Sequence, residues 1–179
     1  MKIRINNYFE TLKQTLDNID KDGVMKFVNL LTSAKGNIYI MGNGGSASTA
    51  SHFACDFNKD LLPEGYAKVT CLNDNMSSVL AYSNDFGYEN LFEEQLKRFL
   101  KKDDIVIVIS CSGNSENILK AVDYAKTKNV KTIGLTGFDG GILKNKVDIS
   151  ICTNCSNMQI TEDVHLAILH MVYNILREF

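Results

Sequence analysis

The sequence predicts an α/β fold in three layers: a five-stranded parallel sheet, helices on both of its faces, and a helical extension at the N-terminus. Three observations predict it. Short runs of apolar, β-branched residues, such as those at 37–41 and 105–109, recur along the chain. Helical patterns separate these runs, so the strands are joined by right-handed crossovers and run parallel. Two strand-to-helix turns, Gly42-Asn43-Gly44-Gly45-Ser46-Ala47 and Ser110-Cys111-Ser112-Gly113-Asn114-Ser115, consist largely of glycines and hydroxyls. Ligands of such sheets bind beyond the carboxyl ends of the strands, where both turns fall.

In order along the chain, two amphipathic helices come first, over residues 6–19 and 22–34, with breaks at Ile19/Asp20 and over 34–37. The first strand covers 37–41 and leads into a helix over 46–58. A second strand covers 67–72, followed by helices near 76–82 and 88–100. The third strand, 104–109, precedes a helix over 115–127. Strands at 130–136 and 147–152 and a last helix over 161–177 complete the pattern. Pro63, the only proline, lies in the loop before the second strand. Repeats, linkers and low-complexity tracts are absent, so the 179 residues read as one domain, 1–35 as N-terminal helices and 36–179 as the α/β core.

Composition bounds the function. An apolar content of 45% against 22% charged residues is that of a folded globular chain, which excludes disorder. A net charge of −2 gives no electrostatic footprint for nucleic acid or a membrane surface, so neither is expected as a partner. No apolar run approaches membrane-spanning length, and the start Met1-Lys2-Ile3-Arg4 carries no signal core. Five cysteines, an odd number, fit reduced thiols and a cytoplasmic location. Cys152 and Cys155 have CxxC spacing, but no second pair accompanies them, and they read as incidental strand-end residues.

Glycine and hydroxyl loops at strand-to-helix turns hold phosphate without lysine. They offer free backbone N–H groups, the positive end of a helix dipole and O–H donors. Ser46 and Ser115 also fit plain N-caps. The pattern Gly42-x-Gly44-x-x-Ala47 fits a dinucleotide fingerprint as well. That fingerprint pairs with an acidic residue about 20 positions on, whereas the nearest candidate here, Asp74, lies about 30 on. The serine-rich second loop has no part in the dinucleotide scheme, and no Gly-Lys-Ser/Thr marks a P-loop. A phosphosugar is therefore favoured over a nucleotide cofactor.

Acids and histidines form the second constellation. His52 and Asp56 lie four apart on the helix after the first loop and share a face. Glu162 and His170 lie eight apart on the last helix, about 80° apart around its axis. Asp163 lies nearer the His170 stripe, and His165 looks to another side, where it reads as core. Two carboxylates and two imidazoles from two helices make either a metal site or an acid/base set. The plain alternatives are a packed histidine and acids that serve a helix dipole.

These residues together carry a resemblance. Gly42–Ala47, His52-Phe53-Ala54, Ser83-Asn84-Asp85-Phe86-Gly87, Ser110–Ser115, Leu135-Thr136-Gly137 with Asp139-Gly140-Gly141, and the acidic-x-His165 to His170 helix follow one family's order. The chain resembles the sugar isomerase (SIS) domain of the phosphoheptose isomerase type, which interconverts sedoheptulose 7-phosphate and a D-glycero-D-manno-heptose 7-phosphate. The resemblance implies an SIS-domain fold and a phosphate held by Ser110, Cys111, Ser112 and Ser115. It further implies a sugar lined by Asn43, Gly44, Ser46 and Glu162, with Asp85 pointing toward it. Zinc would be held by His52, Asp56, Glu162 and His170.

Two positions depart from the family's usual pattern: Asp56 stands for a glutamate and Glu162 for a glutamine. Asp56 or Glu162 would then be the base and His170 the acid of an enediol proton transfer. Lys59 is the nearest cation to an arginine that such enzymes place after the first-loop helix. A homotetramer with active sites where subunits meet, and a place in heptose supply for lipopolysaccharide, capsule or another glycan, are likewise implied. The other reading is a non-catalytic SIS scaffold, such as one that binds a replication initiator, or a phosphosugar sensor. Scaffolds of that kind tend to lack the second histidine, which is present here as His170, and this favours an enzyme.

Overall fold

The structure, a computed structural model, describes residues 1–178. Seven helices and five strands follow one another: α1 (Lys2–Asp17), α2 (Lys21–Thr32), β1 (Ile38–Gly42), α3 (Gly45–Asp60), β2 (Val69–Cys71), α4 (Met76–Phe86), α5 (Leu91–Phe99), β3 (Ile105–Ser110), α6 (Glu116–Thr127), β4 (Lys131–Thr136), β5 (Ile149–Cys152) and α7 (Met158–Arg177). All strand pairs are parallel, in the order β2-β1-β3-β4-β5. The expected five-stranded α/β sandwich is therefore present.

Alternation along each strand decides which layer a side chain joins. Ile38, Ile40, Ile105, Ile107 and Ile109 point to one face, where α2, α3 and α7 cover them. Tyr39, Met41, Val106 and Val108 point to the other and meet α5 and α6, with α4 at the margin. Strands covered on both faces read as continuous apolar runs, which is why 105–109 contains no polar residue.

Several boundaries differ from the sequence reading for identifiable reasons. β2 is an edge strand and pairs with β1 only from Ile38 to Ile40, so it is shorter than expected. The last helix starts three residues early because the Asn157 side chain accepts a hydrogen bond from the Ile160 N–H and caps it. The expected 88–100 helix is α5 preceded by a short 3₁₀ turn over Tyr88–Asn90. Of the two N-terminal helices, α2 belongs to the sheet-covering layer through Val24, Phe27, Val28 and Leu31. α1 lies outside it against α7, and leaves Ile3, Ile5, Phe9 and Leu16 exposed. Among the described residues no helix is long and apolar enough to cross a membrane.

His165, on the sheet-facing side of α7, is completely buried, as the core reading required. Burial pushes its pKa down from 6.5 to about 4, so the folded protein holds it neutral. Above pH 6.5 the ring is neutral in both folded and unfolded chains and has no effect on folding. Between pH 6.5 and 4 the unfolded chain binds a proton that the folded chain excludes, so stability falls as pH falls. The loss reaches about 3 kcal/mol by pH 4 at about 1.4 kcal/mol per pK unit. Denaturant melts of the wild type and of His165→Gln at pH 7, 5.5 and 4.5 measure it. The stability difference between the two proteins shifts toward the variant as the pH drops, and a constant difference would contradict the assignment.

Candidate active site

The sheet order reverses direction between β1 and β3: β2 lies outward of β1, and β4 and β5 lie on the other side. A crevice opens at such a switch point, at the carboxyl ends of the two adjacent strands. Gly42 of β1 pairs with Ile109 of β3, so the glycine loop and the serine loop emerge side by side there.

The serine loop is held from behind. The Cys111 carbonyl accepts from Gly137 N–H at 2.9 Å, the Gly113 carbonyl from Leu143 N–H at 3.0 Å, and Asn114 Oδ1 from Ile142 N–H at 3.0 Å. The 137–143 turn therefore shapes the loop, and left-handed Gly113 and Gly141 let the two backbones approach. Ser110 Oγ donates to Ser115 Oγ at 3.3 Å, and Ser112 Oγ accepts from Asn114 N–H at 3.2 Å. Ser115 is the N-cap residue of α6, yet its hydroxyl makes no capping bond. Burial raises the Cys111 thiol pKa and keeps the group neutral, so no thiolate charge opposes an anion in this loop.

The glycine loop likewise leads into a helix start without a side-chain cap. Gly44, in a left-handed conformation, caps α3 with no side chain, which leaves the first N–H groups of that helix without a side-chain acceptor. Ser46, buried inside the helix start, lies 3.9 Å from Cys111 Sγ and joins the two loops. Asn43 forms a reciprocal amide pair with buried Asn117 of α6, at 2.9 and 3.0 Å, and accepts from Tyr88 Oη at 2.7 Å. Its side chain clamps the glycine loop to α6 and to the turn before α5. Asn73 brackets Gly42, accepting from its N–H at 3.2 Å and donating to its carbonyl at 2.9 Å. Asn73, Tyr88 and Asn117 were not singled out in the sequence, because each acts through a tertiary contact without a local motif.

α3 and α7 run side by side in the same direction, with Gly45 against Glu162 at one level and His52 against His170 further along. His52 Nε2 lies 3.1 Å from Asp56 Oδ2 and 3.3 Å from His170 Nε2, and His170 Nε2 lies 3.9 Å from Asp56 Oδ2. One ligand atom from each of the three falls within 4.8 Å of the others, a spacing that fits a divalent metal with two imidazoles and a carboxylate. Glu162 is not part of this cluster within one chain. Eight residues of helix place it about 12 Å from His170 along the axis. Its carboxylate lies instead against the start of α3, where a Cβ on Gly45 would come within 2.5 Å of it. There it sits at the positive end of the α3 dipole, level with Cys111, whose thiol feels its charge.

Two further residues lie apart from these groups. Asp85 is exposed on α4, where it accepts from Asn84 Nδ2 at 2.9 Å, and α4 itself buries no residue. Lys59, in the last turn of α3 at the end opposite the glycine loop, is 76% exposed and pairs with Asp60.

Glycine- and serine-rich loops at the switch point of a parallel sheet, with an imidazole–carboxylate cluster further along the flanking helices, fit the class of α/β proteins that take a small phosphorylated ligand. A family profile described as the SIS domain matches residues 5–137, and the chain belongs to that family. The phosphoheptose isomerase of Helicobacter pylori is 35% identical over 168 residues, covering 91% of this chain and 86% of that protein. That of Leptospira biflexa is 36% identical over 174 residues, 94% and 87% of the two chains. Solved phosphoheptose isomerases from Neisseria gonorrhoeae and Francisella tularensis superpose with TM-scores of 0.91 at 26% and 29% identity, each covering at least 97% of both chains. Within the SIS domain family the chain is thus a member of the phosphoheptose isomerases, enzymes that isomerise phosphosugars.

Proposed function

We propose that this enzyme interconverts sedoheptulose 7-phosphate and D-glycero-D-manno-heptose 7-phosphate through an enediol, in the supply of heptose for lipopolysaccharide, capsule or another glycan. The observation that carries the reading is the pairing of two anion-binding loops at the switch point with the His52–Asp56–His170 cluster further along the same two helices. A substrate with phosphate at one end and its reacting carbons at the other needs those two features apart. Ser110, Ser112 and Ser115, with Cys111 among them, hold the phosphate through hydroxyls and helix-start N–H groups. Asn43, Gly44 and Ser46 line the sugar from the opposite loop; Asp85, exposed on α4 and apart from these loops, would reach a sugar only if α4 moved or a second copy supplied it.

Isomerisation moves a proton between C1 and C2 and another between their oxygens. Asp56, or Glu162 of a second copy brought to the cluster across a subunit contact, removes the carbon proton and returns it to the neighbouring carbon. His170, through whichever ring nitrogen a metal would leave free, donates to the carbonyl oxygen as charge develops and accepts from the hydroxyl that becomes the new carbonyl. His52, Asp56 and His170 would hold a divalent metal, zinc in this reading, whose positive charge polarises those oxygens when bound.

Glu162 joins the same set only across a subunit boundary, because one helix cannot bring it to His170. A homotetramer with its sites at subunit contacts would bring a second copy's Glu162 to the cluster. The exposed apolar residues of α1, together with Met76 and Leu80 of α4, supply surface for such contacts. The whole chain then acts as one SIS domain, extended by its first two helices.

Proton NMR of sedoheptulose 7-phosphate with the protein in D₂O tests the reading. An aldose signal appears, with deuterium incorporated at the carbons flanking the carbonyl, and both depend on added metal. Absence of exchange with every divalent metal supplied would refute it.

A further inference from the structure

His165 is used by neither the phosphate loop nor the metal cluster, yet it lies on α7 between Glu162 and His170 and faces the other way, into the sheet. Its Nε2 is 3.0 Å from the carbonyl oxygen of Thr136. A carbonyl only accepts, so Nε2 carries the proton and Nδ1 is bare. Nδ1 is buried with no partner among the described residues. A position that required only apolar filling is better served by leucine, which strands no acceptor. The imidazole is therefore retained for what its N–H does.

That N–H ends on a carbonyl at a junction. Thr136 is the last residue of β4 and pairs in register with Ser110, the first serine of the phosphate loop. Its carbonyl accepts a second bond from Thr153 N–H at 2.9 Å, which joins the end of β5 to the same point. The next residue, Gly137, donates its N–H to the Cys111 carbonyl inside the serine loop at 2.9 Å. The Cys152 thiol reaches the Gly137 carbonyl at 3.6 Å from the other side. One imidazole proton thus ties α7 to the ends of β4 and β5, and through Gly137 to the backbone of the loop.

We propose that His165 is a positioning residue for the phosphate grip: its Nε2–H fixes the end of β4, and with it the serine loop, in the geometry that receives the substrate's phosphate. This rests on the assignment of Ser110–Ser115 as the phosphate loop. The placement of α7 itself does not depend on the tie, because Ile160, Val164, Ile168, Leu169, Val172 and Leu176 bury it against the sheet. Loss of the N–H therefore loosens the loop and leaves His170 where it is.

The test compares wild type with His165→Leu, His165→Gln and His165→Asn. The glutamine amide nitrogen reaches the place of Nε2, whereas that of asparagine reaches only as far as Nδ1. His165→Leu raises KM for the phosphosugar about 10-fold with kcat within about 3-fold, and His165→Gln restores KM. Hydrogen exchange of the Gly137 and Thr153 amides quickens about 10-fold in the leucine variant, while that of Leu72, bonded to the Ile40 carbonyl near the far edge of the sheet, is unchanged. An unchanged KM, or faster exchange that includes Leu72, would overturn the proposal. Should the leucine variant not fold, glutamine and asparagine decide: equal KM for the two also overturns it. A wild type with no isomerase activity would instead condemn the reading of the reaction. The exchange pattern and the affinity for inorganic phosphate would still report on the tie.

Discussion

Replacing His170 by alanine lowers kcat by about 10³-fold and leaves KM within about 3-fold, within the range for loss of one general acid. The geometry separates the two parameters. His170 meets His52 and Asp56 at 3.3 and 3.9 Å and makes no contact with the serine loop, so the phosphate grip survives its removal. Two Nε2 atoms at 3.3 Å cannot both direct a proton at each other; one donates to the other, or both face a metal. Alanine at 170 therefore removes the acid and one of three metal donors together. Ser112→Ala is the complement. It deletes a hydroxyl from the phosphate loop, far from the reacting carbons, so KM rises and kcat holds. Steady-state kinetics of the two variants, with metal content by elemental analysis, measure both effects. The opposite split, with KM changed by His170→Ala and kcat by Ser112→Ala, contradicts the assignment of roles.

How much of this was legible in the sequence depends on whether a signal is local. The two loops were legible because their chemistry is carried by consecutive glycines and hydroxyls, and the strands before them by unbroken apolar runs. The His52–Asp56 pair followed from spacing alone and is seen at 3.1 Å. The partnership of α3 with α7 is non-local: the clustering of all three histidines on these two helices suggested it, and the resemblance then gave it roles. Glu162 shows what angular reasoning omits. It is only about 80° from His170 around the helix, but eight residues of rise separate the two by two turns. Asn73, Asn117 and Tyr88 lay beyond reach because an amide or phenol that clamps a distant loop looks like any surface residue in one dimension. α2 was legible in principle, since Val24, Phe27, Val28 and Leu31 follow the i, i+3, i+4, i+7 rule that buries one helix face.

Gly113→Ala, by contrast, is expected to abolish the phosphate grip without touching a functional group. Gly113 has φ of +63°, and a Cβ there would lie 2.1 Å from the Gly140 carbonyl oxygen and 2.7 Å from its carbon. These are backbone atoms, so no side chain can rotate away, and the 110–115 and 137–143 segments must separate. Separation breaks the Leu143 N–H bond to the Gly113 carbonyl and strains the Gly137 bond to Cys111. KM for the phosphosugar then rises by about 100-fold or more, in line with the loss of oriented binding. Gly65→Ala is the matched control. Its φ is +92° with nothing within 4 Å of the added Cβ, so it carries only the left-handed penalty of about 1–2 kcal/mol. Both variants lose stability by melting, but only the first loses affinity for inorganic phosphate by calorimetry. Equal phosphate affinity in the two would mean that the turn behind the serine loop does not shape it. The site would then have to be sought in the helix-start N–H groups of the glycine loop alone.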